Sequence, residues 1–83
     1  MKLIKFYADW CSPCRTQGEL LQSFDTVEIE PINIEDESNE SLCDKYGIKS
    51  LPTLVLVDDD GEAIKEWRGL THPSEILEYI SKD

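Results

Sequence analysis

The sequence predicts an α/β fold in which a four-stranded mixed sheet is flanked by three helices, in the order β-α-β-α-β-β-α. Three observations carry that expectation. Runs of branched and aromatic residues suited to strands occur four times, at 3–8, 27–34, 53–57 and 63–67. Apolar residues at helical spacing fill the two intervals between the first three strands and return at the end of the chain. Between the last two strands, Asp58-Asp59-Asp60-Gly61 ends in the Asp-Gly pair that favours a tight hairpin turn.

Taken in order, Leu3 to Ala8 reads as the first strand. The first helix is expected to start near Ser12, with Gln17, Leu20, Leu21 and Phe24 as its buried stripe. Gly18 weakens that helix by about 1 kcal/mol relative to alanine and permits a bend. In the second strand Val27, Ile29, Ile32 and Ile34 alternate with polar positions, and Pro31 interrupts it, which suits an edge strand because proline cannot donate to a ladder. Ser38 or Asn39 is expected to cap a short helix carrying Leu42, Cys43 and Tyr46, with Gly47 in place to terminate it. Thr53 to Val57 is continuously apolar and is expected at the sheet centre. Ala63 to Trp67 returns antiparallel to it. Pro73 opens the last helix, whose apolar residues Ile76, Leu77 and Ile80 are expected inside. The first β-α-β unit requires parallel strands joined by a right-handed crossover.

Eighty-three residues are read as a single domain spanning 1–83, with room for one modest core. The formal net charge of −10 repels nucleic acid and anionic lipid, so neither is expected as a partner. No apolar run approaches the length needed to cross a membrane. Three cysteines are too few for a disulfide-stapled scaffold, and an odd number leaves one unpaired. No signal peptide is read ahead of the first strand, so a reducing cytoplasm is the expectation, and a monomer is the default.

The most informative stretch is Phe6-Tyr7-Ala8-Asp9-Trp10-Cys11-Ser12-Pro13-Cys14-Arg15. A strand delivers Cys11 to a helix start, where a thiolate is stabilised, and that context turns a common Cys-x-x-Cys spacing into a redox motif. The alternative is half of a zinc site completed by Cys43 and His72. Against it, Cys14, Cys43 and His72 are separated by 28 intervening residues each time, and no second close pair exists.

Together with this motif, Tyr46-Gly47-Ile48-Lys49-Ser50-Leu51-Pro52-Thr53 and Gly69 after the last strand make the chain resemble the thioredoxin family. The resemblance runs from about Leu3 to Lys82 with its motifs in family order. It implies a thioredoxin-like fold lacking the N-terminal strand and helix of full-length thioredoxins. It implies a thiol–disulfide oxidoreductase that cycles a Cys11/Cys14 dithiol–disulfide, with no bound cofactor and no metal. Cys11 would be the nucleophile and Cys14 the resolving thiol. Trp10, Ser12 and Pro13 would support the motif. Trp10, Leu51, Pro52, Gly69 and Leu70 would bind substrate, with Pro52 cis beside Cys11 and the backbone of Leu51 open to an extended segment. Partners would be disulfide-containing proteins and a thioredoxin reductase-like electron donor, or glutathione if the protein works in the manner of a glutaredoxin. The Trp10 context favours the former, as does the absence of a Gly-Gly segment after the proline strand.

The chain departs from the family at Ser12, where glycine is usual, and at Lys5, where a buried aspartate is usual. The family's lysine partner of that aspartate falls on Pro31. Lys5 shares a strand face with Leu3 and Tyr7. It either reaches solvent, pairs with Glu28 or Glu30, or lies beneath Cys14. In the last case a neutral amine would take the Cys14 proton, whereas a charged one would stabilise its thiolate. Arg15, Lys49 and Arg68 stand beside the three site loops in sequence, which suggests a basic rim on an acidic body. Cys43 is expected to be a small buried residue, and His72 to start the last helix without a catalytic role.

Overall fold

A computed structural model describes residues 1–82; Asp83, the last residue of the expected domain, lies outside the described residues. The elements are β1 (Lys2–Tyr7), α1 (Ser12–Leu20), β2 (Glu28–Asn33), a single 3₁₀ turn (Glu37–Asn39), α2 (Glu40–Tyr46), β3 (Thr53–Val57), β4 (Ala63–Arg68) and α3 (Pro73–Ile80). The sheet order is β2-β1-β3-β4. β1 and β2 run parallel, while β1–β3 and β3–β4 are antiparallel. This is the expected four-stranded mixed sheet, with β3 fully buried and β2 at the edge with its Pro31.

Alternation along the central strands divides the core between two faces. Leu3, Leu54 and Leu56 point to one face, where Leu21 at the end of α1 and Ile76 of α3 cover them. Ile4, Phe6, Ile32, Val55 and Val57 point to the other, where Leu42, Cys43 and Tyr46 of α2 pack. The Phe6 and Tyr46 rings meet at 6.0 Å between centroids. Trp67 packs on the first face and meets Tyr79 edge-on at 5.8 Å, as a structural residue.

Three local expectations are corrected. α1 ends at Leu20, so Leu21 is its C-cap and Phe24 reaches the core from the turn that follows. Asn39 is the N-cap residue of α2, as expected, but its side chain makes no cap hydrogen bond and donates to the Asn33 carbonyl at 3.0 Å. Asp36 caps the preceding 3₁₀ turn instead, accepting from the Ser38 backbone N–H at 3.0 Å and from its hydroxyl at 2.7 Å. Leu77 is exposed, because Ile76 and Ile80 are one helical turn apart and face the sheet while Leu77 is rotated away from both.

Gly47 ends α2 in the left-handed conformation at φ 61°, with the N–H of Ile48 returning to the Cys43 carbonyl. No helix among the described residues is long and apolar enough to cross a membrane.

Candidate active site

The C-terminal end of β1 carries the chain through Ala8-Asp9-Trp10 to the start of α1, where Cys11 is the N-cap residue. Extended backbone at Cys11 (φ −91°, ψ 102°) turns its side chain over the first helical turn, and its Sγ accepts the Cys14 backbone N–H at 3.3 Å. Pro13 occupies a position whose missing N–H costs the helix nothing. Cys14 lies on the first turn, 5.3 Å from Cys11 between Cα atoms, and a disulfide joins the two. On reduction the same geometry leaves a sulfur facing a backbone donor and the positive end of a helix, which favours thiolate.

Both cysteines are only 5% exposed, so exposure does not tell their roles apart; the cavities beside them do. Cys11 lines an open groove of about 440 Å³ together with Trp10, Ser12, Pro13, Ile34, Ile48, Lys49, Ser50 and Leu51. Cys14 lines a separate cavity of about 190 Å³ with Lys5 and Gly18. Trp10 is 65% exposed at the lip of the groove, so a large apolar surface faces outward beside Cys11.

The loop from Gly47 to Pro52 forms the opposite wall. The Leu51–Pro52 peptide is cis, as expected, and Pro52 is buried with its carbonyl accepting from the Gly69 N–H at 2.8 Å. Gly69 has φ 83°, a conformation open to glycine at little cost. Gly69 and the exposed Leu70 lie on the adjoining loop and do not line the groove itself. In their place the wall is completed by Ile34, at the end of β2, and Ile48, which site reasoning missed. Ile34 was visible as the last apolar position of the β2 alternation, and Ile48 as the apolar residue following Gly47.

Gln17 is also more than part of an apolar stripe. Fully buried, it donates from Nε2 to the Thr71 carbonyl and accepts the Thr71 N–H at Oε1, both at 2.8 Å. The pair ties α1, which carries both cysteines, to the Gly69-Leu70-Thr71 loop.

The expected ring of basic residues is not assembled. The Arg68 guanidinium pairs with Glu66, and Arg15 donates to the Asp9 carbonyl at 2.9 Å. Lys49 is the basic residue that lines the groove. Sequence adjacency to the three loops misled because alternate positions on a strand or helix face different ways.

Lys5 does not pair with Glu28 or Glu30; Lys2 takes Glu30 instead. Cys43 is half-buried, not enclosed, on α2, and burial pushes its thiol up, with Asp44 and Glu40 adding to the effect. His72 is the N-cap of α3 in a capping box: Nδ1 accepts the Ser74 N–H at 3.1 Å, and Glu75 accepts the His72 N–H at 3.1 Å. Among the described residues, no three His, Cys, Asp or Glu side chains come together as a metal site.

A family model described as Thioredoxin matches residues 1–82. A protein disulfide-isomerase of Hordeum vulgare is 31% identical over 96% of this chain, which spans 17% of that protein. A thioredoxin of Chlamydia caviae is 32% identical over 96% of this chain and 79% of its own length. Among solved structures, a mutant thioredoxin from Halobacterium salinarum NRC-1 matches with a TM-score of 0.83 at 31% identity, covering 98% of this chain and 72% of that one.

Proposed function

The chain belongs to the thioredoxin family, and on that premise we propose that it is a thiol–disulfide oxidoreductase cycling Cys11 and Cys14 between dithiol and disulfide. The observation that carries this reading is the Cys11–Cys14 disulfide at the N-terminus of α1, beside an open apolar groove and with the Cys14 N–H aimed at the Cys11 sulfur.

In the reductive direction, the Cys11 thiolate attacks one sulfur of a substrate disulfide. The substrate S–S bond breaks, and the departing thiolate takes a proton from water. Cys14, having released its proton, then attacks Cys11 Sγ in the mixed disulfide. The Cys11–Cys14 bond forms, the second substrate thiolate leaves, and it too is protonated. Two electrons pass from the protein dithiol to the substrate disulfide. No bound cofactor takes part.

The groove favours extended protein segments around a disulfide. Trp10, Pro13, Leu51, Ile34 and Ile48 offer apolar contact, and Lys49 favours an acidic flank. Ser12 sits exposed between the cysteines, and Pro52, buried beyond Leu51, accepts the Gly69 N–H. The working form is a cytoplasmic monomer resupplied by a thioredoxin reductase-like donor. Its acidic surface keeps nucleic acid and anionic membranes away.

Lys49 in the groove favours a second reading, in which glutathione is the reductant and Lys49 holds one of its carboxylates. Two coupled assays separate the donors: NADPH with thioredoxin reductase, and glutathione with glutathione reductase. Turnover in the first alone supports the reductase-fed reading, and turnover in the second alone supports the glutathione reading. Cys11→Ser abolishes turnover in either case. Full biological activity in Cys11→Ser would instead mark a binding module.

A further inference from the structure

We propose that Lys5 is the charge partner of Cys14, its ammonium group stabilising the Cys14 thiolate that resolves the mixed disulfide. The proposal rests on the dithiol–disulfide reading above and assigns a role to a strand residue outside the Cys-x-x-Cys motif.

Lys5 and Cys14 line the same cavity, of about 190 Å³. The ammonium is placed by Gly18: a Cβ added there would lie 3.3 Å from Lys5 Nζ. Gly18 is one helical turn beyond Cys14 on α1, so the two share a helix face. Lys5 Nζ therefore lies against the strip of α1 from which Cys14 projects. A Cβ at position 18 would require Lys5 Nζ to shift by a few tenths of an ångström.

No carboxylate among the described residues forms an ion pair with Lys5; the ion pairs engage the Met1 amine, Lys2 and Arg68. Its partners across the sheet are Pro31 on β2 and Leu54 on β3, neither of them ionisable. The other titratable groups of the cavity are Tyr7 from β1, Asp9 from the loop and Arg15 from α1. Lys5 Nζ lies 5.7 Å from the Tyr7 ring centroid. The Arg15 guanidinium is turned to the Asp9 carbonyl.

A cation at this place answers a specific need. Cys14 is 5% exposed, and burial works against its thiolate form. Yet Cys14 must ionise once the mixed disulfide forms. With Lys5 alongside, the Cys14 thiol gives its proton to water, the thiolate attacks Cys11 Sγ, and the substrate thiolate departs to be protonated by solvent. The same charge stabilises the reduced protein relative to the disulfide.

The test has two arms. In the first, Cys11→Ser with Cys43→Ser leaves Cys14 as the one thiol, and its thiolate absorbance is followed against pH. Lys5→Gln and Lys5→Met, two neutral replacements of different packing, are expected to move the midpoint upward, and Lys5→Arg to restore it. In the second arm, the full chain is equilibrated with glutathione redox buffers. Each neutral replacement is expected to shift the equilibrium about tenfold toward the disulfide, the size of a one-unit charge effect. An unmoved midpoint in both neutral variants, or Lys5→Arg behaving like them, overturns the proposal. A wild-type protein that never exchanges with glutathione or a reductase overturns the oxidoreductase reading. The thiolate titration still reads Lys5 independently in that case.

Discussion

Gln17 holds the cysteine-bearing helix to the loop after β4, and it does so from a fully buried position. Gln17→Ala strands the Thr71 N–H and carbonyl in the interior, and a loss of about 3 kcal/mol of unfolding free energy in urea titration is expected. A loss below about 0.5 kcal/mol would show that the loop re-pairs with something else. Its helical spacing made Gln17 legible as a buried position. Its two partners were not legible, because they lie 54 residues away and depend on how α1 crosses the sheet. Cys11, Cys14, Trp10 and Pro13 were legible because the motif fixes their local geometry at a helix start. Lys5 stood out as a departure from the family's usual aspartate, but its approach to Gly18 was not legible, since glycine has no side chain to signal a contact.

The three helices differ in how well the sequence specifies their ends. In α2 the C-terminal glycine is required: Gly47 sits at φ 61°, and a Cβ there meets nothing, so the cost of replacing it is conformational only. Gly47→Ala is expected to lower stability by about 1 kcal/mol. Gly18→Ala is expected to raise stability by about 1 kcal/mol, since α1 runs through that position and the nearest side-chain atom is the flexible tip of Lys5. Thermal unfolding of the two variants should move in opposite directions; matching shifts would mean that Lys5 cannot yield. The strands were legible in their order and in the edge position of β2, since alternation and Pro31 both act locally. The cap before α2 was not, because Asp36 lies in an acid-rich stretch that reads as solvated loop, and its hydrogen bonds to Ser38 appear only once the 3₁₀ turn is formed. Leu77 was misplaced because a helix of 8 residues on a narrow sheet face covers only one row of its apolar side chains.

Over the whole molecule, the charge of −10 works against compactness, while two exposed carboxylates are held in the ionised form. Asp36 is lowered from 3.8 by the Ser38 side-chain and backbone hydrogen bonds, and Asp59 is lowered from 3.8 by the N-terminal amine. Because both are depressed in the folded state, their contribution is present above pH 3.8 and is lost as pH falls through the lower folded values. Asp36→Asn should therefore flatten the acid limb of the stability profile below pH 3.8, and an unchanged limb would remove Asp36 as its source. The sign of the net charge was legible from composition. The failure of Arg15 and Arg68 to join Lys49 at the groove was not, since side-chain direction follows from strand and helix register. The central claim remains the reversible bond between Cys11 and Cys14, and it is tested most directly by counting free thiols in the folded protein across a series of glutathione redox buffers. The account predicts a single two-electron transition from one free thiol, Cys43, to all three. A count that stays at one or at three through the whole series, or a transition that involves Cys43, would contradict it.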